Sequence, residues 1–146
     1  MDQEYKSLRL AVPTVDVLST VADAVAAEAR TGSLIALNGP LGAGKTAFAR
    51  AFLVARAKKA GQSPPSEVPS PTYTLAQAYE IGADEIWHFD LYRISSPEEC
   101  AELGFDEALA SGIVLVEWPD RLGSMLPVDR LNLDLDLALG GDDSRV

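Results

Sequence analysis

The chain has 146 residues, with 12 Lys and Arg against 22 Asp and Glu and a formal net charge of −10, which argues against its gripping a nucleic acid by itself and leaves room only for local basic patches. Cys100 is its only cysteine, so an internal disulfide and a multi-cysteine zinc site are excluded and a reducing compartment is consistent. The length fits a single domain over 1–146, and a polar start with no 18-residue apolar run predicts a soluble, cytoplasmic protein with no membrane span.

Leu8, Leu10 and Val12 alternate with Ser7, Arg9 and Ala11, a period of two that predicts a half-buried first strand. A helix is expected over 16–30, with Thr14 or Asp16 near its start and Gly32 just past its end. Leu34-Ile35-Ala36-Leu37 is a short apolar run that reads as a buried strand, and 46–60 reads as a helix. Four prolines within 61–71 make that stretch a surface loop. Strands over 73–79 and 85–91, separated by Gly82, Ala83 and Asp84, look like a hairpin whose second arm carries His88-Phe89-Asp90. Ser95-Ser96-Pro97-Glu98-Glu99 opens a helix, with serine to cap, proline at the first helical position and carboxylates facing the dipole. Ile113-Val114-Leu115-Val116 is a second buried strand, and 130–139 alternates as a late edge strand.

Between the Leu34 run and the helix lies Gly39-Pro40-Leu41-Gly42-Ala43-Gly44-Lys45-Thr46, the pattern G-x-x-x-x-G-K-[ST] in the strand-to-helix setting of a phosphate-binding loop. Average residue frequencies give that pattern by chance in roughly one chain in two hundred of this length. Glycines let successive N–H groups converge on one phosphate, and the following helix N-terminus adds partial positive charge. Lys45 is expected to reach the β- and γ-phosphates, and the Thr46 hydroxyl to be one ligand of a Mg²⁺ ion.

Such a loop needs a carboxylate for Mg²⁺ or its waters at the end of a neighbouring strand. Glu117, after the Ile-Val-Leu-Val run, is the stronger topological match, and Asp90 is the other. The plain reading of Glu117 is a solvated strand-end carboxylate. His88 alternates onto the same side as Asp90, but a single strand histidine is read as a hydrogen-bonded structural residue. Trp118 reads as packing or as a ring that stacks on a ligand.

Four blocks in order, the 39–46 loop, Ser70-Pro71-Thr72-Tyr73-Thr74-Leu75, His88-Phe89-Asp90-Leu91-Tyr92-Arg93 and Glu117-Trp118-Pro119, resemble the TsaE family of bacterial tRNA threonylcarbamoyladenosine biosynthesis ATPases. The likeness runs from about the first helix to Leu126. It implies an α/β, three-layer P-loop NTPase-like fold with a mixed, mostly parallel central sheet and an antiparallel hairpin. It also implies an ATPase that works with TsaD and TsaB, resetting that complex between turnovers and meeting tRNA only indirectly. By the same resemblance Gly42, Ala43, Gly44, Lys45, Thr46 and Ala47 hold ATP phosphates and Thr46 and Glu117 ligate Mg²⁺. Lys45, Asp90 and Glu117 are the catalytic residues, Asp90 as a catalytic or water-mediated metal group. Thr72 and Thr74 fall in a switch-like segment, and Trp118 matches a tryptophan near the nucleotide or partner surface. Pro40 stands where the family usually carries Asp, which leaves ATP binding intact and any partner contact of that Asp in doubt. The chain stops soon after its last strand, so no family contact beyond it is carried over, and the adenine is expected near Asp16 and Val17.

Two rival classes share the loop. A small-molecule kinase needs an acceptor site and an Arg-bearing lid, for which Arg93 and Arg121 are the candidates among eight scattered arginines. A nucleotide-gated binding module would change partner affinity with little hydrolysis. A GTPase would ordinarily carry Asn-Lys-x-Asp, and the sequence has none.

Overall fold

Apolar runs such as Leu34-Ile35-Ala36-Leu37 and Ile113-Val114-Leu115-Val116 have no polar face, so they are stable only where both sides of a sheet are covered. The computed structural model, which describes residues 6–11, 15–40, 44–65 and 75–136, provides that cover. Strand β1 (Lys6–Ala11) leads to helix α1 (Val15–Glu28), strand β2 (Leu34–Asn38), helix α2 (Lys45–Ala60) and strands β3 (Ala76–Ile81) and β4 (Asp84–Asp90). Short helices α3 (Pro97–Glu102) and α4 (Phe105–Ser111) follow, then strand β5 (Ile113–Glu117), a 3₁₀ segment (Pro119–Met125) and strand β6 (Leu131–Asp136).

All the strands join one sheet in the order β1-β6-β2-β5-β4-β3. Neighbours run parallel except β3 and β4, which form the expected antiparallel hairpin. Because successive side chains alternate faces, Ile35, Leu37, Ile113 and Leu115 pack with Leu18, Ala22, Phe48 and Phe52 of α1 and α2. Leu34, Ala36, Val114 and Val116 pack on the other face with Cys100, Phe105, Ala108 and Leu122. Helices on both faces of a mostly parallel sheet make the α/β, three-layer arrangement expected from the sequence. Among the described residues no helix is long and apolar enough to cross a membrane.

The last strand corrects one expectation. The 130–139 stretch reads as an edge, yet β6 lies inside the sheet, with Leu131 opposite Lys6 on one side and Ile35 on the other. One polar position that suggests a solvated edge is absorbed: Asn132 is buried, and its Oδ1 accepts a bond from Arg130 Nε at 3.0 Å. Strand β1 takes the edge instead. The helix expected from Ser95 onward is divided at Leu103 and Gly104, where Gly104 adopts φ 88°. Ser96 occupies the N-cap of α3 without a side-chain cap bond, and Ser95 N–H bonds Glu99 Oε1 instead. Val12, residues 66–74 and 137–139, to which the sequence assigns strand or loop, lie outside the described residues.

Away from the loop end, Arg56 is buried on α2 and donates to Ala26 O at 2.7 Å and Ala29 O at 2.8 Å, with Asp84 as its ion-pair partner. It satisfies carbonyls at the C-terminus of α1 and ties both helices to the start of β4. Gly112, between α4 and β5, touches the hairpin so closely that a Cβ there would stand 2.4 Å from Glu85 O.

Replacing Gly112 with Ala forces backbone to move, and a loss of about 1–3 kcal/mol is expected from the urea midpoint at unchanged m-value. Cys100 is fully buried, and burial, then Asp106, pushes its thiol pKa up to about 11. The native chain is therefore expected to resist a thiol reagent at about pH 8 and to be modified once unfolded, as read by mass spectrometry.

Candidate functional site

The C-terminal ends of parallel strands are where an open α/β sheet gathers its functional groups. Here β2 stops at Asn38 and the backbone enters the loop through Gly39 at φ 144° and leaves it through Gly44 at φ 106°, both in the region that side-chain-bearing residues avoid. Gly44 is also the N-cap of α2, so no side chain caps that helix. The first-turn N–H groups of Lys45, Thr46 and Ala47 are thereby left for an anion. Gly42 and Ala43, the other expected phosphate ligands, lie outside the described residues.

Lys45 is 4% exposed. Its ammonium donates to Gly39 O at 2.6 Å and Pro40 O at 2.8 Å, across the mouth of the loop, and lies 4.3 Å from the centre of the Trp118 ring. Pro40 is exposed, and it meets Lys45 through its carbonyl. Burial lowers the Lys45 pKa from its ordinary 10.5, and the charges of Glu117 and Asp90 oppose that fall.

Both candidate carboxylates belong to one site. The parallel register sets Asp90, the last residue of β4, directly opposite Glu117, the last residue of β5. Glu117 is 4% exposed and Asp90 5%, so neither is a solvated strand end. Thr46 Oγ1 donates to Glu117 Oε2 at 2.9 Å, joining the start of α2 to the end of β5. The same oxygen lies 2.7 Å from His88 Nε2. Asp90 Oδ1 accepts from Tyr92 N at 3.0 Å, and the backbone of Leu91 donates to Glu117 O at 3.1 Å. His88 is thus hydrogen-bonded, as read from the sequence, but its partner is the site carboxylate.

Trp118 adopts φ 60° and ψ 52°, a conformation rare for a bulky side chain. It turns the chain straight after Glu117 and lays the indole between Lys45 and Tyr92, whose ring centre is 4.9 Å away. Arg121 stands 5.7 Å from the Tyr92 ring. The contact of Trp118 with Lys45 was legible only as a choice between packing and stacking, because nothing in the sequence shows a left-handed turn at a tryptophan. Asp16 and Val17 are exposed at the start of α1; Thr72 and Thr74 lie outside the described residues.

Hard oxygen donors from Thr46, Glu117 and Asp90 suit a small divalent cation that keeps waters and phosphate oxygens as further ligands. Among the described residues no group of three His, Cys, Asp or Glu side chains makes an all-protein metal cage.

The model of the family described as threonylcarbamoyl adenosine biosynthesis protein TsaE matches residues 12–144. The chain belongs to the TsaE family. A relative from Rickettsia bellii (strain RML369-C), named tRNA threonylcarbamoyladenosine biosynthesis protein TsaE, is 38% identical over 125 residues, covering 86% of this chain and 82% of its own. The TsaE protein of Bacillus subtilis (strain 168) is 34% identical over 141 residues, 96% of this chain and 83% of its own. The crystal structure of Bacillus subtilis YdiB superposes with a TM-score of 0.65 at 30% identity, over 90% of this chain and 76% of that one. The TsaE match thus includes the loop, both carboxylates and Trp118 within one aligned span.

Proposed function

We propose that this TsaE-family chain is a Mg²⁺-dependent ATP-binding and ATP-hydrolysing protein that supports tRNA N6-threonylcarbamoyladenosine formation. It does so in the cytoplasm, as one domain, by acting on the TsaD–TsaB complex and resetting it between turnovers. The observation that carries the catalytic part is the 2.9 Å bond from Thr46 Oγ1 to Glu117 Oε2 beside the buried Lys45 ammonium. A hydroxyl and a carboxylate so joined at the start of α2 support a cation site beside bound phosphates. The names of the TsaE relatives support the role in tRNA threonylcarbamoyladenosine formation.

The phosphates fall to the open N-terminus of α2 and to Lys45, whose buried side chain carries its ammonium to the loop carbonyls. Thr46 and Glu117 would hold Mg²⁺, which when bound would supply positive charge to offset that of the nucleotide phosphates. Glu117 accepts the hydrogen bond that the Thr46 hydroxyl donates, so the hydroxyl oxygen keeps its lone pairs for the cation. Asp90, held by the Tyr92 amide beside Glu117, serves as a catalytic or water-mediated metal group, a role its neighbourhood to Glu117 supports. No arginine is assigned to the γ-phosphate. Intrinsic turnover is accordingly slow, and TsaD and TsaB complete the site.

ATP hydrolysis by the purified chain is expected to rise when TsaD and TsaB from the same organism are added, and Lys45→Ala should abolish both binding and the stimulated rate. Unchanged nucleotide affinity in that variant would sink the loop assignment. Phosphate appearing on a small acceptor would favour a kinase, and partner affinity that follows nucleotide without turnover would favour a gated module. Asp90→Asn should slow hydrolysis by about 10²-fold or more while nucleotide binding persists, measured by single-turnover kinetics.

A further inference from the structure

His88 sits inside the sheet with no exposed surface, opposite Leu115 in the β4–β5 register and two residues before Asp90 on the same face. Its ring nitrogens have unlike surroundings. Nε2 meets Glu117 Oε2 at 2.7 Å, and because an ionised carboxylate only accepts, the ring proton belongs on Nε2. Nδ1 is then left as an acceptor, and among the described residues no donor reaches it. A buried acceptor without a donor typically costs about 1–3 kcal/mol. An apolar residue would fill the same space between Ile86 and the site without that penalty. What the imidazole supplies and an apolar side chain does not is the bond to Glu117.

That bond changes what Glu117 can do. Its Oε2 receives two donors from different elements, Thr46 Oγ1 of α2 and His88 Nε2 of β4. One donor would leave the carboxylate free to swing about it; two fix its plane. With Oε2 committed, Oε1 is the oxygen that remains for a cation or one of its waters.

We propose that His88 is a positioning residue whose Nε2–H holds the Glu117 carboxylate in the orientation needed to serve Mg²⁺ at Thr46. The proposal rests on the Mg²⁺–nucleotide function argued above and adds to it a residue that touches neither nucleotide nor metal. It predicts a selective defect: the benefit that Mg²⁺ brings to nucleotide binding should depend on His88, whereas phosphate binding by Lys45 and the helix N-terminus should not.

The test compares the wild type with His88→Leu, His88→Gln and His88→Asn, titrating a fluorescent ATP analogue in Mg²⁺ and in EDTA, with urea unfolding run in parallel. Gln places an N–H near the position of Nε2, while Asn carries the same amide one methylene short. Leu and Asn are expected to lose about 10-fold or more of the affinity in Mg²⁺ with little change in EDTA, and Gln to recover most of it. A wild-type Mg²⁺ response in Leu or Asn overturns the proposal. So do equal losses with and without Mg²⁺, or a Gln variant as impaired as Asn. Should the Leu chain not fold, the Gln and Asn pair decides. A wild-type chain that binds the analogue with no response to Mg²⁺ refutes the metal-dependent function itself, and the proposal falls with it.

Discussion

A carboxylate buried at the end of a central strand constrains everything around it. Glu117 is almost wholly removed from water, and an isolated ionised group in that position would be destabilised by several kcal/mol. The fold offsets this with directed partners: a hydroxyl from α2, an imidazole from β4 and the nearby charge of Lys45. Each partner must arrive on a different element. The geometry of the loop end is therefore inseparable from the packing that brings α2, β4 and β5 together.

The sheet does the positioning. Parallel pairing places the last residues of β4 and β5 side by side, so Asp90 and Glu117 end level with each other. Pleating then puts His88, Asp90 and Glu117 on the face covered by α1 and α2, the face on which Ile86 and Leu115 pack. From the other direction, β2 feeds the loop and α2 starts with an uncapped turn. Lys45 bridges the loop carbonyls and Trp118. The ammonium thus has loop carbonyls on one side and an indole on the other.

Much of this was legible from residue pattern. The spacing of residues 39–46 and the apolar runs around 34–37 and 113–116 located the phosphate loop, its strand and the strand carrying Glu117, because those signals are local: glycine freedom, a period, a run length. The choice between Glu117 and Asp90 was not legible, since it depends on the register of two strands, which brings both in. The depth of Glu117 was hidden for a similar reason: a strand-end carboxylate reads as solvated unless the residues that cover it are known. The partner of His88 is 29 residues away in sequence, and no local rule links the two. The placement of β6 failed most plainly. Alternation records which faces are polar but not which strands stand alongside, and Asn132 is buried between β1 and β2 with Arg130 as its hydrogen-bond partner.

The interior position of β6 also governs how the molecule is assembled in time. Strand β1 pairs with β6 alone, from Lys6 opposite Leu131 to Ala11 opposite Asp136. Its hydrogen-bonding groups therefore wait for a segment made more than a hundred residues later, and the flank of β2 beyond the loop stays open for the same period. Long-range parallel pairing is slow to form because chain entropy is lost before contacts reward it. The strand that feeds the phosphate loop thus keeps one open edge until β6 has been made, and a nascent chain passes through a stage in which this apolar strand is exposed to pairing with other chains.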